Sequence, residues 1–412
     1  MNGVQDRSGA LRSEFPGVQK VALSYSGGLD SAVVGTLLMQ AGFSVLPVVA
    51  DIGQQSDFKR ISKNASSMFG SCVAVDARDE LSDAIFRAIK ANFGTDGLMN
   101  GGGFIRPVLA RALADSARKG KCQAIAHGSS GVGNDHLVME NSLRVLAPEM
   151  RIMAPVRDLD LRRDSTLEFA KKEGLLTNLA RAGKFSADES LWGRMIRQGV
   201  SVDQSRPLPP DAYKWTVSPQ GAQNRPETVE ISFEKGIPIS AKIGGKKITG
   251  KAKIISALNA AGGRNAIGRG EALEDKVVGL KIREAYECPG AKILLVAHGA
   301  LEGLVLTARE LSAKRFVDGT WAELVRTGGW HTRLRRSLDA FIDETQRAVD
   351  GTVALELYKG SISLKGRQSP HALYDTRLSG RDSKGVFSQK EARHYAKLHG
   401  LQDLIAYMMD SG

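Results

Sequence analysis

A short segment near the start of the chain combines hydroxyl side chains with two adjacent glycines. An apolar run at 21–23 predicts a strand leading to Ser26, and Gly27 and Gly28 permit a tight turn before a helix that opens near Ser31. The unpaired N–H groups and partial positive charge at that helix start suit a pyrophosphate group. We therefore predict an anion-binding cradle, formed by Ser24, Tyr25, Ser26, Gly27, Gly28, Leu29, Asp30 and Ser31.

The cradle lacks the lysine that a Walker-type loop places after its last glycine, so γ-phosphoryl transfer is not indicated. The pattern Ser-Gly-Gly-x-Asp-Ser instead resembles the PP-loop of ATP pyrophosphatases, which cleave ATP between the α and β phosphates and release AMP and pyrophosphate. A chance Ser-Gly-Gly turn is the alternative, but the flanking strand, the helix and Asp30 argue against it. ATP is the expected cofactor.

Length and composition indicate an ordinary soluble protein of two domains. The chain has 412 residues, of which 42% are hydrophobic, and no apolar run reaches 18 residues. The first 20 residues lack a signal-like apolar region, so we expect a disordered extension over 1–19 and a cytoplasmic location. Cys72, Cys122 and Cys288 are far apart, which favours buried structural thiols over a disulfide or zinc site.

The net charge of +12 is spread over scattered lysines and arginines. Such a distribution favours a basic surface that attracts ATP and carboxylate substrates over a nucleic-acid-binding face. We therefore expect small-molecule substrates, with no nucleic acid or membrane partner.

The elements that position the cradle alternate between strand and helix. Strands are predicted at 45–50, 72–75 and 123–126, and helices at 57–69, from 79 to about 93, and at 107–117 with Pro107 in the first turn. This order predicts an α/β fold with a doubly wound parallel sheet, whose ligands bind at the carboxyl ends of the strands.

The pattern changes in the second half of the chain. Short β-like runs at 229–233 and 237–239 are followed by helical patterns at 254–260 and 301–311. A last helix with one apolar side spans 395–408 and is weakened by Gly400. We expect an N-terminal extension, an ATP-binding domain, an α+β synthetase domain and a C-terminal oligomerisation helix, with the bounds 1–19, 20–174, 175–385 and 386–412.

Further blocks along the chain resemble the argininosuccinate synthase family. They include residues 50–54, 105–107, 127–135, 146–148, 152–157, 186–194, 262–263, 268–269, 278–281, 286–287, 357–360 and 369–370. The resemblance implies an ATP-dependent ligase in which a ureido oxygen attacks the α-phosphate of ATP, pyrophosphate leaves, and the amine of aspartate displaces AMP. It also implies Mg²⁺ as a cofactor and a homotetramer with exchanged C-terminal helices.

The resemblance also implies roles for individual residues. Asp30 and Asp135 become the candidate catalytic residues, although a carboxylate in the first turn of a helix, as at Asp30, is common without any such role. The magnesium ligands are not identified. The remaining assignments are Ala50 and Gly128 for ATP, Ser130, Asn134 and Asp135 for aspartate, and Ser186, Glu274 and Tyr286 for citrulline.

The acceptor pocket departs from the family pattern. Leu98 replaces a tyrosine, Gly103 ends a run of three glycines in place of a hydroxyl-bearing turn, Val138 replaces an arginine, and Met195 replaces a serine. Val132 also replaces a lysine. An arginine grips a carboxylate in a bidentate manner that valine cannot imitate.

Two hypotheses follow from these departures. Either other groups, such as Arg106 or Arg194, hold citrulline, or the chain is a paralogue that condenses aspartate with a different ureido, amide or carboxyl substrate.

Hypotheses from other classes have less support. A tRNA-modifying enzyme with a PP-loop would explain the basic charge, but it usually needs a reactive cysteine pair and a nucleic-acid module, and the sequence indicates neither. An amidotransferase would need a glutaminase nucleophile, which is not evident. A catalytically idle binding protein is suggested only by the altered acceptor pocket.

Overall fold

The protein is described by a computed structural model that covers residues 8–175, 185–198, 204–378 and 389–411. Its first part is a sheet of parallel strands flanked by helices. The strands are β1 (Lys20–Ser24), β2 (Ser44–Asp51), β3 (Val73–Asp76), β4 (Ala124–Ala126) and β5 (Arg151–Met153). The helices are α1 (Ser8–Glu14), α2 (Leu29–Gln40), α3 (Phe58–Phe69), α4 (Arg78–Lys90), α5 (Gly102–Lys119), α6 (Asp135–Leu146), α7 (Pro155–Asp158) and α8 (Arg163–Lys172).

The strand order is β3-β2-β1-β4-β5, and every pairing is parallel. The order reverses at β1, and the crevice at this switch point is where open α/β sheets bind their ligands. The predicted doubly wound sheet is therefore confirmed, with the cradle at the carboxyl end of β1.

Two antiparallel sheets make up the second part. One has the order β11-β12-β7-β6 and the other β10-β9-β8-β13-β14. Their strands are β6 (Ser186–Ser190), β7 (Gly193–Gln198), β8 (Glu227–Glu234), β9 (Ile237–Ile243), β10 (Lys246–Thr249), β11 (Arg269–Asp275), β12 (Lys281–Glu287), β13 (Gly351–Tyr358) and β14 (Ser361–Gln368). The helices are α9 (Lys251–Arg264), α10 (Pro289–Val305), α11 (Ala308–Arg326), α12 (Arg333–Thr345), α13 (Gln389–His399) and α14 (Leu401–Asp410).

One hydrophobic core joins the two parts of the chain. Phe93 and Phe104 come from the first part, and Trp192 and Trp321 from the second. Their rings meet edge to face with centroids 5.1 to 6.1 Å apart. The Trp192 indole also donates a hydrogen bond to the Met99 carbonyl at 2.7 Å, so its one polar group is satisfied in the core.

Part of the predicted N-terminal extension is folded. Within 1–19, residues 8–14 form α1, and Leu11, Phe15 and Val18 are buried. The guanidinium of Arg12 lies over the Phe43 ring, 4.9 Å from its centroid. The prediction of disorder is wrong for residues 8–19 because Leu11, Phe15 and Val18 pack into the core of the first domain.

Three predicted helix boundaries are also wrong. The helix that we expected to open at Pro107 begins five residues earlier, because the Asn100 side chain accepts from the Gly102 N–H at 3.0 Å and starts the first turn. The pattern at 301–311 spans two helices that part at Thr307, whose side chain caps α11. The last pattern is divided at Gly400 into α13 and α14.

Of the three cysteines, Cys122 and Cys288 are buried and Cys72 is half-buried, and all three are free thiols. In the described part of the chain, no helix combines the length and the apolar character needed to cross a membrane.

Candidate active site

A large cleft of about 900 Å³ separates the carboxyl edge of the parallel sheet from the four-stranded antiparallel sheet. A smaller cavity of about 100 Å³ opens beside it and shares part of its walls. The described residues that line the large cleft include Ser24, Ser26, Gly28, Asp30, Ser31, Arg106, Gly128, Ser130, Asp135, Arg162, Arg163, Asp188, Glu189, Arg194, Lys214, Ile282 and Glu284.

The cradle is held in shape by its own hydroxyls. The Ser31 hydroxyl lies 3.2 Å from the Ser26 hydroxyl and donates to the Gly28 carbonyl at 3.0 Å. The Ser26 hydroxyl in turn accepts from the Gly28 N–H at 3.3 Å. The Ser26 and Ser31 hydroxyls and the Gly28 N–H all lie at the cleft. Because their hydrogen bonds to one another are long, these groups can exchange them for hydrogen bonds to a bound anion.

Only one of the two cradle glycines is required by the backbone. Gly27 has a φ of +73°, and a Cβ there would lie 3.0 Å from two carbons of Ile61. Gly28 has a φ of −90° and a ψ of 171°, which any residue adopts.

Asp30 lies in the first turn of α2 and faces the cleft. Burial raises the pKa of its carboxyl group; the nearby Arg163 guanidinium lowers it, and Asp188 raises it further. In the described ranges, no group of three or more His, Cys, Asp or Glu side chains is arranged to hold a metal ion.

The smaller cavity is lined by Tyr25 and Ala50, at the ends of β1 and β2. The Tyr25 hydroxyl contacts the Met68 sulfur at 3.6 Å, and the Tyr25 N–H donates to the Val48 carbonyl at 3.0 Å. Burial, with Cys72 nearby, raises the pKa of Tyr25 to about 12. Tyr25 therefore lines the wall of the smaller cavity with its hydroxyl and its N–H both engaged within the protein.

The second glycine-rich turn follows β4 and packs against the cradle. A Cβ at Gly128 would lie 3.5 Å from the backbone between Asp30 and Ser31, so the two turns are in contact. The Asn134 side chain joins this turn to the second domain: it donates to the Arg326 carbonyl at 3.2 Å and accepts from the Val277 N–H at 2.9 Å. Ser130 is exposed and lines the cleft.

An arginine bridges two carboxylates at the centre of the cleft. The same Arg106 nitrogen lies 2.8 Å from Asp135 and 2.6 Å from Asp188. Arg106 lies on α5, Asp135 on α6 and Asp188 on β6, so these ion pairs connect the two parts of the chain at the cleft.

The Arg194 guanidinium is held by buried partners beside the cleft. It pairs with the fully buried Glu287 at 2.8 Å and donates to the Ala212 carbonyl at 2.6 Å. Glu287 also accepts from the N–H groups of residues 214–216. The hypothesis that Arg194 holds an acceptor carboxylate would therefore require a buried ion pair to break.

Glu274 and Tyr286 lie together on the neighbouring strands β11 and β12. The Tyr286 hydroxyl donates to Glu274, whose other oxygen pairs with Lys276. Burial, and next the Glu274 charge, raise the pKa of Tyr286 far above its usual range, which keeps its proton on the phenol. Ser186 lies on β6, and its side chain falls outside the described part of the chain.

Two family models match the chain. The arginosuccinate synthase N-terminal HUP domain matches residues 20–176, and the arginosuccinate synthase C-terminal domain matches residues 185–406. The chain belongs to the argininosuccinate synthase family. The resemblance predicted from the sequence is thereby confirmed.

Curated relatives agree over almost the whole length. The argininosuccinate synthase of Methanococcus maripaludis is 41% identical over 94% of this chain and 98% of its own length. That of Archaeoglobus fulgidus is 42% identical over 93% of this chain and 97% of its own, and that of Methanopyrus kandleri is 41% identical over 94% and 99%.

Four of the five departures from the family pattern lie at buried or half-buried positions, whereas Val132 is exposed. Val138 and Met195 are only 1% and 2% exposed. A Cβ at Gly103 would lie 2.5 Å from the Val325 carbonyl oxygen, so α11 packs where a larger side chain would stand. Leu98 is half-buried, and its carbonyl accepts from Arg326 at 2.9 Å.

Several cleft residues were missed by the sequence reasoning. Arg162 and Arg163 lie at the start of α8 and line the cleft. Asp188 pairs with Arg106. The adjacent arginines at a helix start were the available signal. No sequence signal indicated that Asn100 and Lys276 would meet at Glu274.

Proposed function

We propose that this protein is an ATP-dependent ligase that joins the amine of L-aspartate to a ureido acceptor, with L-citrulline as the family's acceptor and argininosuccinate as its product. The observation that carries the proposal is the cradle, which faces one cleft together with the Arg106 bridge to Asp135 and Asp188. Family membership over the whole chain supports the same reaction class.

The first step is attack of the acceptor's ureido oxygen on the α-phosphorus of ATP. The bond between that phosphorus and the bridging oxygen breaks, and pyrophosphate leaves with the electron pair. We propose that the cradle N–H groups and the hydroxyls of Ser26 and Ser31 stabilise the leaving charge, with Arg163 as a further cation at the same wall. Ala50 lines the cavity that we assign to adenine, and Gly128 brings backbone close to the phosphates.

The second step is attack of the aspartate amine on the ureido carbon, after which AMP leaves and the amine loses its protons. We propose that Ser130 and Asp135 bind aspartate and that Asn134 holds the turn that carries them. The ion pair with Arg106 holds the Asp135 carboxylate at the wall of the cleft.

Among the described residues, the Asp30 carboxylate and the hydroxyls of Ser26 and Ser31 line the cleft at the cradle. This oxygen set fits Mg²⁺, which binds through one or two carboxylates and the substrate phosphates. Bound there, Mg²⁺ would neutralise charge on the leaving pyrophosphate.

The decisive experiment follows oxygen and phosphate together. Purified protein is incubated with ATP, Mg²⁺, aspartate and a panel of ureido compounds labelled with ¹⁸O at the ureido oxygen. We expect AMP and pyrophosphate in equal amounts, with the label in AMP. ADP and orthophosphate as the stoichiometric products, or unlabelled AMP, would contradict the mechanism. Ser31→Ala should lower turnover, while Ser13→Ala, at an exposed position outside the cleft, serves as the matched control.

The paralogue hypothesis remains a second candidate for the acceptor. It is favoured by Val138 and Met195, which are buried where family members carry polar contacts. The same panel, extended with amides and carboxylates, decides between the two acceptors.

We also propose a cytoplasmic homotetramer with no nucleic acid or membrane partner. Helices α13 and α14 expose apolar side chains, among them Ile405 at 56% and Met408 at 65%, which supports an oligomerisation role for 386–412. The oligomeric state is measurable by light scattering.

A further inference from the structure

A buried cluster of charged and polar side chains adjoins the second glycine-rich turn, residues 128–134. It consists of His127 directly after β4, Glu140 on α6 and Arg157 on α7. His127 and Glu140 are buried, and His127 also lines the large cleft. The cluster therefore lies between the core of the first domain and the turn that carries Ser130.

His127 holds the first residues of the turn. Its main-chain N–H donates to the Met153 carbonyl at 3.1 Å, and its Nδ1 accepts from the Ser129 N–H at 3.3 Å. Because a ring nitrogen that accepts a hydrogen bond carries no proton, the proton of the neutral imidazole lies on Nε2. Nε2 is 3.8 Å from a carboxylate oxygen of Glu140. The negative charge of Glu140 thus favours the tautomer that leaves Nδ1 free to accept from Ser129.

Arg157 supports the middle of the turn. A Cβ at Gly131 would lie 3.1 Å from Cγ of Arg157 and 3.6 Å from its Cδ, so the aliphatic stem of the arginine packs against the backbone of the turn. Its guanidinium pairs with the same Glu140 oxygen that faces His127, and on its other side with Asp158 at 2.8 Å. These ion pairs fix the guanidinium and, with it, the stem beneath Gly131.

The second oxygen of Glu140 has a different kind of partner. Arg144, one helical turn further along α6, pairs with it at 2.7 Å. The Arg144 side chain is 63% exposed and lines neither of the two cavities. Arg144 and Arg157 are therefore two arginines on one carboxylate, of which Arg157 packs against the turn and Arg144 lies away from the cleft.

Ser130 lies between the two supported residues of the turn. Ser129 is held by His127 on one side of it, and Gly131 rests on Arg157 on the other. Gly128, by contrast, packs against the backbone between Asp30 and Ser31 in the cradle. A shift of residues 129–131 would therefore displace Ser130 more than it would disturb the cradle.

We infer that Glu140 is a positioning residue: acting through His127 and Arg157, it fixes residues 129–131 and thereby places Ser130 for aspartate. This inference rests on the proposed function, in which Ser130 binds aspartate, and it adds a residue that acts from behind that site.

Arg157→Met tests the link between the carboxylate and the turn. Methionine keeps an unbranched stem at Gly131 but loses the guanidinium. We expect the KM for aspartate to rise about tenfold, while the KM for ATP and kcat stay within about twofold of the native values. Arg144→Met removes the other arginine from the same carboxylate, and as the matched control it should keep all three native values. A native KM for aspartate in folded Arg157→Met protein, or an equal rise in the KM for ATP, would overturn the inference.

Glu140→Gln tests the carboxylate itself, and a double variant tests whether it acts through Arg157. We expect Glu140→Gln to raise the KM for aspartate by about tenfold or more. Adding Arg157→Met should raise it little further, because two residues that act through one contact are not additive. Multiplication of the two effects, to about a hundredfold, would show that the residues act independently and would overturn the inference.

Amide hydrogen exchange separates failure of this inference from failure of the proposed function. We expect peptides that cover residues 128–134 to exchange faster in Glu140→Gln and in Arg157→Met than in the native protein, and at the native rate in Arg144→Met. Native exchange in folded Glu140→Gln protein would overturn the inference alone. Faster exchange without any aspartate-dependent AMP formation by the native protein would instead overturn the proposed reaction and leave the support of the turn by Glu140 in place.

Discussion

The two cradle glycines provide a matched pair of substitutions with opposite expected effects. Gly27→Ala places a side chain at a φ of +73°, and the new Cβ would lie 3.0 Å from Cγ1 and Cγ2 of Ile61. Gly28→Ala places one at a φ of −90°, where the nearest neighbour is the Ser26 hydroxyl at 3.3 Å.

The magnitudes follow from backbone conformation. The left-handed region costs a residue other than glycine about 1 to 2 kcal/mol, and the close contact with Ile61 adds to that cost. At a compatible backbone position, replacing glycine by alanine stabilises by about 0.4 to 1 kcal/mol because the unfolded chain loses freedom. We therefore expect Gly27→Ala to be less stable than Gly28→Ala by roughly 2 to 3 kcal/mol.

The assay is chemical denaturation of both variants and the native protein, followed by a measurement of pyrophosphate release. Gly27→Ala should lose stability and also lower pyrophosphate release, because the turn that carries the Ser26 and Gly28 donors must shift. Equal stability of the two variants, or a greater loss in Gly28→Ala, would refute this account of the cradle.

Two further predictions concern buried charge near the cleft. Burial raises the pKa of Glu140, but His127 and the Arg157 guanidinium outweigh it and lower the pKa to about 2. The stability that this carboxylate contributes, roughly 3 kcal/mol, is present above pH 4.5 and is lost as the pH falls toward 2. In Glu140→Gln, the free energy of unfolding should decrease less steeply as the pH falls from 4.5 toward 2. The same pH dependence in the variant and the native protein would contradict the prediction. Val138→Arg would bury an unpaired guanidinium at a site that is 1% exposed, at a cost of several kcal/mol, while Val145→Arg on the same helix, 59% exposed, should be nearly neutral. Similar denaturation midpoints for these two variants, or improved citrulline use by Val138→Arg, would show that the pocket can open.

The sequence by itself determined the class of fold and the kind of reaction. The cradle consists of an apolar strand, a glycine turn with hydroxyl side chains and a helix, all within a few neighbouring residues. Such a pattern can be recognised from the sequence because the residues that form strands, turns and helix starts act over a few positions. The same holds for the alternation that predicted the parallel sheet. Local reasoning failed where a remote contact decided the outcome, as at α1, whose apolar side chains gain their partners only from the folded first domain.

Only the tertiary structure decided how the acceptor side is built. Glu274 and Asn100 are 174 positions apart, and no spacing rule predicts that an amide before α5 will bind a carboxylate on β11. Arg106 looked free to hold a substrate, yet it bridges Asp135 and Asp188, and the latter lies 82 positions further along the chain. Charge and hydrogen bonding are pairwise properties of groups in space, so a sequence shows which groups are available and the fold shows which of them are already engaged.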